Sequence, residues 1–188
     1  GVFMKILQQI ISYDKNSNSK KGGYSTGLTS SFKVLSCFAN LWDASNNDSI
    51  KILTNLPSYY VFDSLNNSWT AHGDSRLNDY YPEGRKRSYS TAISKENFVQ
   101  SFYNWLDDNP GNRKTFSKEI KALITIHSNY TYMASKVPSG EDFEFEHIIP
   151  KAWKVDSKVT SQPTHLSSLG NGMFLPKSTN NKKKDHTL

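Results

Sequence analysis

Apolar residues along the chain fall into blocks of different period, separated by polar stretches. Phe32, Leu35, Phe38, Ala39 and Trp42 recur at helical intervals and predict an amphipathic helix. The stretch "YYVFD" at 59–63 is rich in β-forming residues and predicts a short strand. From Asp63 to Ser90 the pattern is irregular and polar, with many Tyr and Asn. A second helix is expected from Ser94 to Asp108, with Phe98, Phe102, Trp105 and Leu106 on one face and "NPG" at 109–111 stopping it. A third begins near Thr115, carries Ile120, Leu123 and Ile124, and runs toward His127. His127 reads as a packed or half-exposed helix residue rather than a ligand, since no second ligand stands at helical spacing from it.

Past "VPSG" at 137–140 the period changes. A strand is expected from Phe143 to Ile149, then a loop of about 20 residues holding Trp153 and His165, then a second strand in "LGNGMFLP" at 169–176. A basic segment follows as a helix start, with Ser178 as its candidate cap. The fold class expected is therefore α+β. A mainly helical part with short strands fills 1–140, as scaffold or recognition region, and a small β-β-α unit fills 141–188.

The first of these two strands is chemically odd. Phe143, Phe145, Ile148 and Ile149 are core material, yet Glu144, Glu146 and His147 are costly to bury unless something pairs with them. In an ideal strand Glu146 and His147 point to opposite faces, so both reach one site only where regular pairing ends and the chain turns, as Pro150 allows. Glu144 shares the face of Glu146 and reads best as the solvent side of a half-buried strand, with a metal-ligating or supporting role as the alternatives.

Composition narrows the picture. The 188 residues are 36% hydrophobic and 13% aromatic, enough for a folded core rather than a disordered tail. No apolar run approaches the roughly 20 residues a membrane helix needs, and the start lacks a secretory cleavage site, so a cytoplasmic location with no membrane partner is expected. The single cysteine, Cys37, lies in "FKVLSCFANLW" and reads as a buried inert thiol. A formal net charge of +6 favours polyanionic partners. The cations gather in "GRKRSYS" at 84–90 and "NKKKD" at 181–185, although each block alone reads equally well as solvated surface.

Taken together, "EHIIP", "LGN", "FLP" and an asparagine nine residues after Asn171 resemble the HNH, or ββα-metal, nucleases. The stretch is most similar to the C-terminal nuclease domain of GmrSD-type modification-dependent restriction endonucleases, and more distantly to the HNH domain of CRISPR effector nucleases. The resemblance covers about the last 45 residues and leaves the first 140 unassigned. Gly172 departs from it, standing where the family usually has an apolar residue.

That resemblance implies a role for each residue. His147 would be the general base, Glu146 and Asn180 would supply oxygen ligands to one Mg²⁺ (or Mn²⁺), and Asn171 would hold the loop after the first strand and so aim His147. Beside that, the residues themselves suggest that Lys177, Lys182, Lys183 and Lys184 hold the DNA backbone, and that Arg85 and Arg87, in a block that adds aromatics to arginines, line a backbone groove or stack on an exposed base, a flexible surface loop being an equally good reading. His165 reads best as an exposed loop residue, with phosphate or metal binding as the alternative. The expected partner is DNA, base-modified DNA included, with room for a partner subunit or a longer parent chain. The function implied is a metal-dependent DNA endonuclease of a restriction or anti-phage system. A non-catalytic nucleic-acid-binding module keeping the ββα shape is the alternative. A helical interaction protein with a basic tail accounts for the helices but not for the "EFEH" strand.

Overall fold

The structure is a computed structural model that describes Ile6 and residues 29–128, 130–131, 143–151 and 165–183. Trp153 and Lys184 lie outside the described residues. The protein is a mixed α+β chain, mostly helical, with one small two-stranded antiparallel sheet among the described residues. It divides into two compact units, one holding residues 29–108 and the other the residues from Asn109 onward.

The first unit contains α1 (Ser31–Leu41), α2 (Asn46–Leu65), α3 (Gly73–Asn78) and α4 (Lys95–Asp108). Serines set three of the starts: Ser30, Ser45 and Ser94 each accept a hydrogen bond from a backbone N–H three residues on. Val34, Cys37, Leu41, Ile52, Leu56, Tyr60, Tyr80, Tyr89 and Trp105 are buried here. Burial pushes the Cys37 thiol up to about 12, which keeps it protonated and unreactive.

The strand expected at 59–63 is instead the last part of α2. Ile52, Leu56, Tyr60 and Asp63 are buried along this helix at helical spacing, and Asp63 is held by Trp69 Nε1 at 2.7 Å and Arg76 Nη2 at 3.4 Å. Packing of that stripe overrides the β-preference of "YYVF". The Lys33 ammonium is buried beneath α2, donating to the Tyr60 carbonyl and to Ser64 Oγ and lying 3.8 Å from the centre of the Tyr60 ring. Within 63–90, a stretch expected to be irregular, α2 runs on to Leu65 and the short helix α3 follows at Gly73–Asn78.

The second unit contains α5 (Lys118–Ser128), β1 (Phe143–His147), β2 (Gly172–Pro176) and α6 (Lys177–Lys183). Ser117 Oγ accepts from Ile120 N–H at the start of α5. A single turn of 3-10 helix, Leu169–Asn171, leads into β2, so the second strand is shorter than its expected span. Ser178 falls inside the first turn of α6 rather than ahead of it as a cap. The "NPG" stop also anchors the loop ahead of β2. Gly111 has φ +82°, its carbonyl accepts from Ser167 N–H at 3.0 Å, and a Cβ there would meet Ser168 N at 2.2 Å.

Register fixes which side chains share a face of the hairpin. β1 pairs antiparallel with β2 from Phe143 opposite Pro176 to His147 opposite Gly172. Phe145 and Phe174 meet with ring centroids 4.0 Å apart, and Phe174 is buried in a core that includes Phe116, Ile120, Leu123 and Ile124. Alternation along β1 therefore gives the opposite face to Glu144 and Glu146, and there α6 packs.

Candidate functional site

Two spacings meet on the α6 face of the sheet. Glu144 and Glu146 are two apart on a strand, and Asn180 and Lys183 are three apart on a helix, so each pair projects from one side of its element. Asn180 Nδ2 donates to Glu144 Oε2 at 2.8 Å. Lys183 Nζ donates to Glu146 Oε1 at 3.0 Å and to the His147 carbonyl at 2.8 Å. The Lys183 side chain is 2% exposed and that of Glu146 20%.

These contacts revise two expectations and bear on a third. Lys183, expected among cations facing the DNA backbone, is buried, because an ammonium paired to a carboxylate inside the unit is not free to reach solvent or phosphate. Glu144, read as the solvent side of the strand, is half-buried and bonded to Asn180. Glu146 and Asn180, expected on one ion, have different partners here, Lys183 and Glu144 respectively. Lys177 and Lys182 are exposed. Arg85 and Arg87 belong to the first unit: Arg85 is half-buried with its guanidinium 3.5 Å from the Ala39 carbonyl, and Arg87 is exposed and paired with Asp79 at 3.2 Å. His165 is exposed, with Nδ1 2.8 Å from Asn112 Oδ1.

His147 lies on the other face of the hairpin and is 6% exposed. Its ring stacks on Phe116, centroids 4.0 Å apart and planes 14° from parallel. The main chain of Lys114 hydrogen-bonds the ring, and Nε2 is buried without a partner. Burial and the cations of Lys151 and Lys183 depress the imidazole below its ordinary 6.5, against the opposing pull of Glu146 and the Lys114 bond. The ring is thus neutral at neutral pH.

Gly172 makes this arrangement sterically feasible. It pairs with His147 across the hairpin, and a Cβ on it would stand 2.2 Å from Ile124 Cδ1 and 3.0 Å from Phe116 Cζ. The volume a side chain would take at this position is filled by Ile124 and by the Phe116 ring that covers His147.

Asn171, expected to hold the loop after β1, makes a two-way bridge to Ile149. The Ile149 N–H donates to Asn171 Oδ1 at 2.7 Å, while Asn171 Nδ2 donates to the Ile149 carbonyl at 3.3 Å and the Leu166 carbonyl at 2.7 Å. Its own carbonyl accepts from Ile148 N–H at 2.9 Å. Three hydrogen bonds therefore fix the chain immediately after His147, and the fourth ties Asn171 to the loop ahead of β2.

Among the described residues, no cluster of three or more His, Cys, Asp and Glu is gathered as a ready-made metal centre. The donors on the α6 face are two carboxylates and an amide, hard oxygen groups of the type that bind Mg²⁺ or Mn²⁺ through few protein ligands. Lys183 already seats a positive charge against Glu146. The donor chemistry thus fits a divalent ion, provided the ammonium gives way. Phe116 and the packing role of Gly172 were missed in the sequence, while Glu144 and Lys183 were singled out there with a different first reading. The one available signal was the match between a two-residue spacing of acids on a strand and a three-residue spacing of polar groups on the following helix. No family model matches the chain, and no curated protein or solved structure matches it at a significant level.

Proposed function

We propose that this protein is a metal-dependent DNA endonuclease built on a ββα-metal unit, acting in a restriction or anti-phage system. The observation that carries the reading is the His147 imidazole, with a buried unpartnered Nε2 and set before a loop clamped by Asn171; Glu146 precedes it in sequence but leaves the hairpin from the opposite face, so the reading requires the end of β1 to turn for both to reach one phosphate. A buried acceptor without a partner is unfavourable, and a water or phosphate oxygen at Nε2 satisfies it. A neutral imidazole there takes a proton from the attacking water. The Lys114 bond to the ring and the Asn171 bridge to the chain after it would orient the imidazole for that transfer. Glu146, Asn180 and Glu144 would hold Mg²⁺ or Mn²⁺, which when bound supplies Lewis-acid stabilisation of the phosphate and of the leaving 3′ oxygen. Lys177 and Lys182, exposed at the start and end of α6, suit backbone phosphates.

The test is incubation of the protein with unmodified and base-modified plasmid in Mg²⁺, Mn²⁺ or EDTA. Cleavage with either metal, loss in EDTA, and a fall of about 10² to 10⁴ in rate for His147→Ala support the reading. Because the imidazole is depressed below 6.5, the acid limb of the rate profile should lie below that pH. Cleavage unchanged in His147→Ala overturns it. The salt bridge that already neutralises Glu146 favours the alternative of a non-catalytic binding module; salt-sensitive DNA binding without cleavage in any metal would establish that alternative.

A further inference from the structure

The first unit carries a cleft of about 920 Å³ between α1 and the loop after α3. Its walls include Leu35, Phe38, Trp42 and Tyr81, and its charged residues are Asp43 and Glu83. Among the described residues no Lys or Arg lines it, in a chain whose formal net charge is +6. Arg85 lies nearby, but its guanidinium is bonded to the Ala39 carbonyl at the cleft wall.

Two features make this more than an irregular surface. Leu35, Trp42 and Tyr81 are all exposed, Trp42 at 72%, and together they form an apolar patch of the kind that marks an interaction site. Phe38 on α1 and Trp42, the residue that caps its end, both line the cleft, with ring centroids 5.8 Å apart and planes at 47°. Aromatic faces attract cations, and carboxylates beside them add to that attraction. Phosphate is repelled by the same two carboxylates, so this cleft has the opposite preference from a DNA-binding surface.

We infer that the cleft binds the arginine side chain of a basic peptide segment on a partner protein. A guanidinium is flat, weakly hydrated and always charged, so it can stack on an indole while its N–H groups reach a carboxylate, and its aliphatic stem can lie against Leu35. The cleft is thus a protein-recognition site, separate in chemistry from the nuclease reading of the second unit.

The experiment titrates three probes into the full chain by calorimetry: a peptide of alternating arginine and glycine, its glutamate counterpart, and a single-stranded oligonucleotide. The arginine peptide should bind and the glutamate peptide should not. The double variant Asp43→Asn with Glu83→Gln should weaken arginine-peptide binding about fivefold, and Trp42→Ala by a similar factor. All three side chains are exposed, so the variants should keep the wild-type circular dichroism spectrum. No binding of the arginine peptide, equal binding of both peptides, or arginine-peptide binding unaffected by these variants would overturn the inference. So would an oligonucleotide that displaces the arginine peptide and binds better once the carboxylates are removed, which would make the cleft a base-stacking platform instead.

Discussion

Replacing Lys183 with methionine tests whether the α6 face of the hairpin is a cation site. Lys183 Nζ is 3.0 Å from Glu146 Oε1 and 2.8 Å from the His147 carbonyl, with 2% of its side chain exposed. A divalent ion on Glu146 must displace this ammonium, so wild-type metal affinity is lowered by whatever the pair is worth. At an effective dielectric of about 20, unit charges at this separation attract by about 5 kcal/mol. Desolvation of both groups cancels most of that. A remainder of about 1.5 kcal/mol corresponds to about tenfold in Kd. Calorimetric titration of Mn²⁺ should therefore show tighter binding in Lys183→Met by about that factor, while Lys183→Met combined with Glu146→Gln should lose the gain. The single variant leaves Glu146 without its counter-ion and should lower the melting temperature, and Mn²⁺ should restore it by binding the folded state. Equal or weaker Mn²⁺ affinity in Lys183→Met would refute the competition and remove Glu146 from the metal site.

Three further outcomes follow from geometry. Asn171→Ala removes three side-chain hydrogen bonds at a buried position and should cost about 2–4 kcal/mol in urea unfolding, with Asn171→Asp less severe because it keeps the acceptor for Ile149 N–H; a loss under about 0.5 kcal/mol in the alanine variant would mean the bridge does not hold the loop. Gly172→Ala should cost about 1–3 kcal/mol by overpacking against Ile124, and Ile124→Val, which deletes the colliding methyl, should recover part of it; additive losses in the double variant would contradict the packing argument. Burial lowers the Lys33 ammonium from 10.5 to about 8, so between about pH 8 and 9 the unfolded chain binds more protons there than the folded one and stability should rise with pH in thermal melts, until the Cys37 thiol, held up at about 12 by burial, ionises in the unfolded chain and opposes the rise. Lys33→Met should flatten that rise. Above about pH 10 the sign reverses as tyrosines ionise in the unfolded chain, since burial holds the Tyr60 hydroxyl up at about 12 and raises Tyr89 as well.

Helices with a clear apolar stripe and a stop signal were legible in the sequence: α4 begins within one residue of its expected start and ends on Asp108 as expected. The hairpin order was legible too, because phenylalanines alternate with polar residues in β1 and Pro150 limits how far the strand can run. α2 was not. Its buried positions Tyr60 and Asp63 are an aromatic residue and an acid, and the stretch "YYVF" taken alone favours a strand. What makes it helical is tertiary: Lys33 reaching the Tyr60 carbonyl, and Trp69 and Arg76 holding Asp63. None of these partners is at a spacing that a local pattern reveals.

The candidate site was half legible for a related reason. Residue types and order pointed to Glu146, His147, Asn171 and Asn180, but pairing across the hairpin decides what each can touch. Because His147 remains in register opposite Gly172, strict alternation puts its ring on the Phe116 face and the Glu146 carboxylate on the α6 face. The backbone joins the two faces: Lys183 bonds the Glu146 carboxylate and the His147 carbonyl with one ammonium. Binding a metal at Glu146 would thus release a hydrogen bond from the residue that carries the imidazole, so events on one face of the hairpin reach the other through the peptide unit of His147 itself. The bare Gly172 leaves Phe116 room to cover the ring, and Asn171, next to it in sequence, pins the loop that follows. Two adjacent residues of β2 and its entry thus control how exposed and how mobile the imidazole is, and a sequence motif read as a row of separate ligands cannot express that coupling.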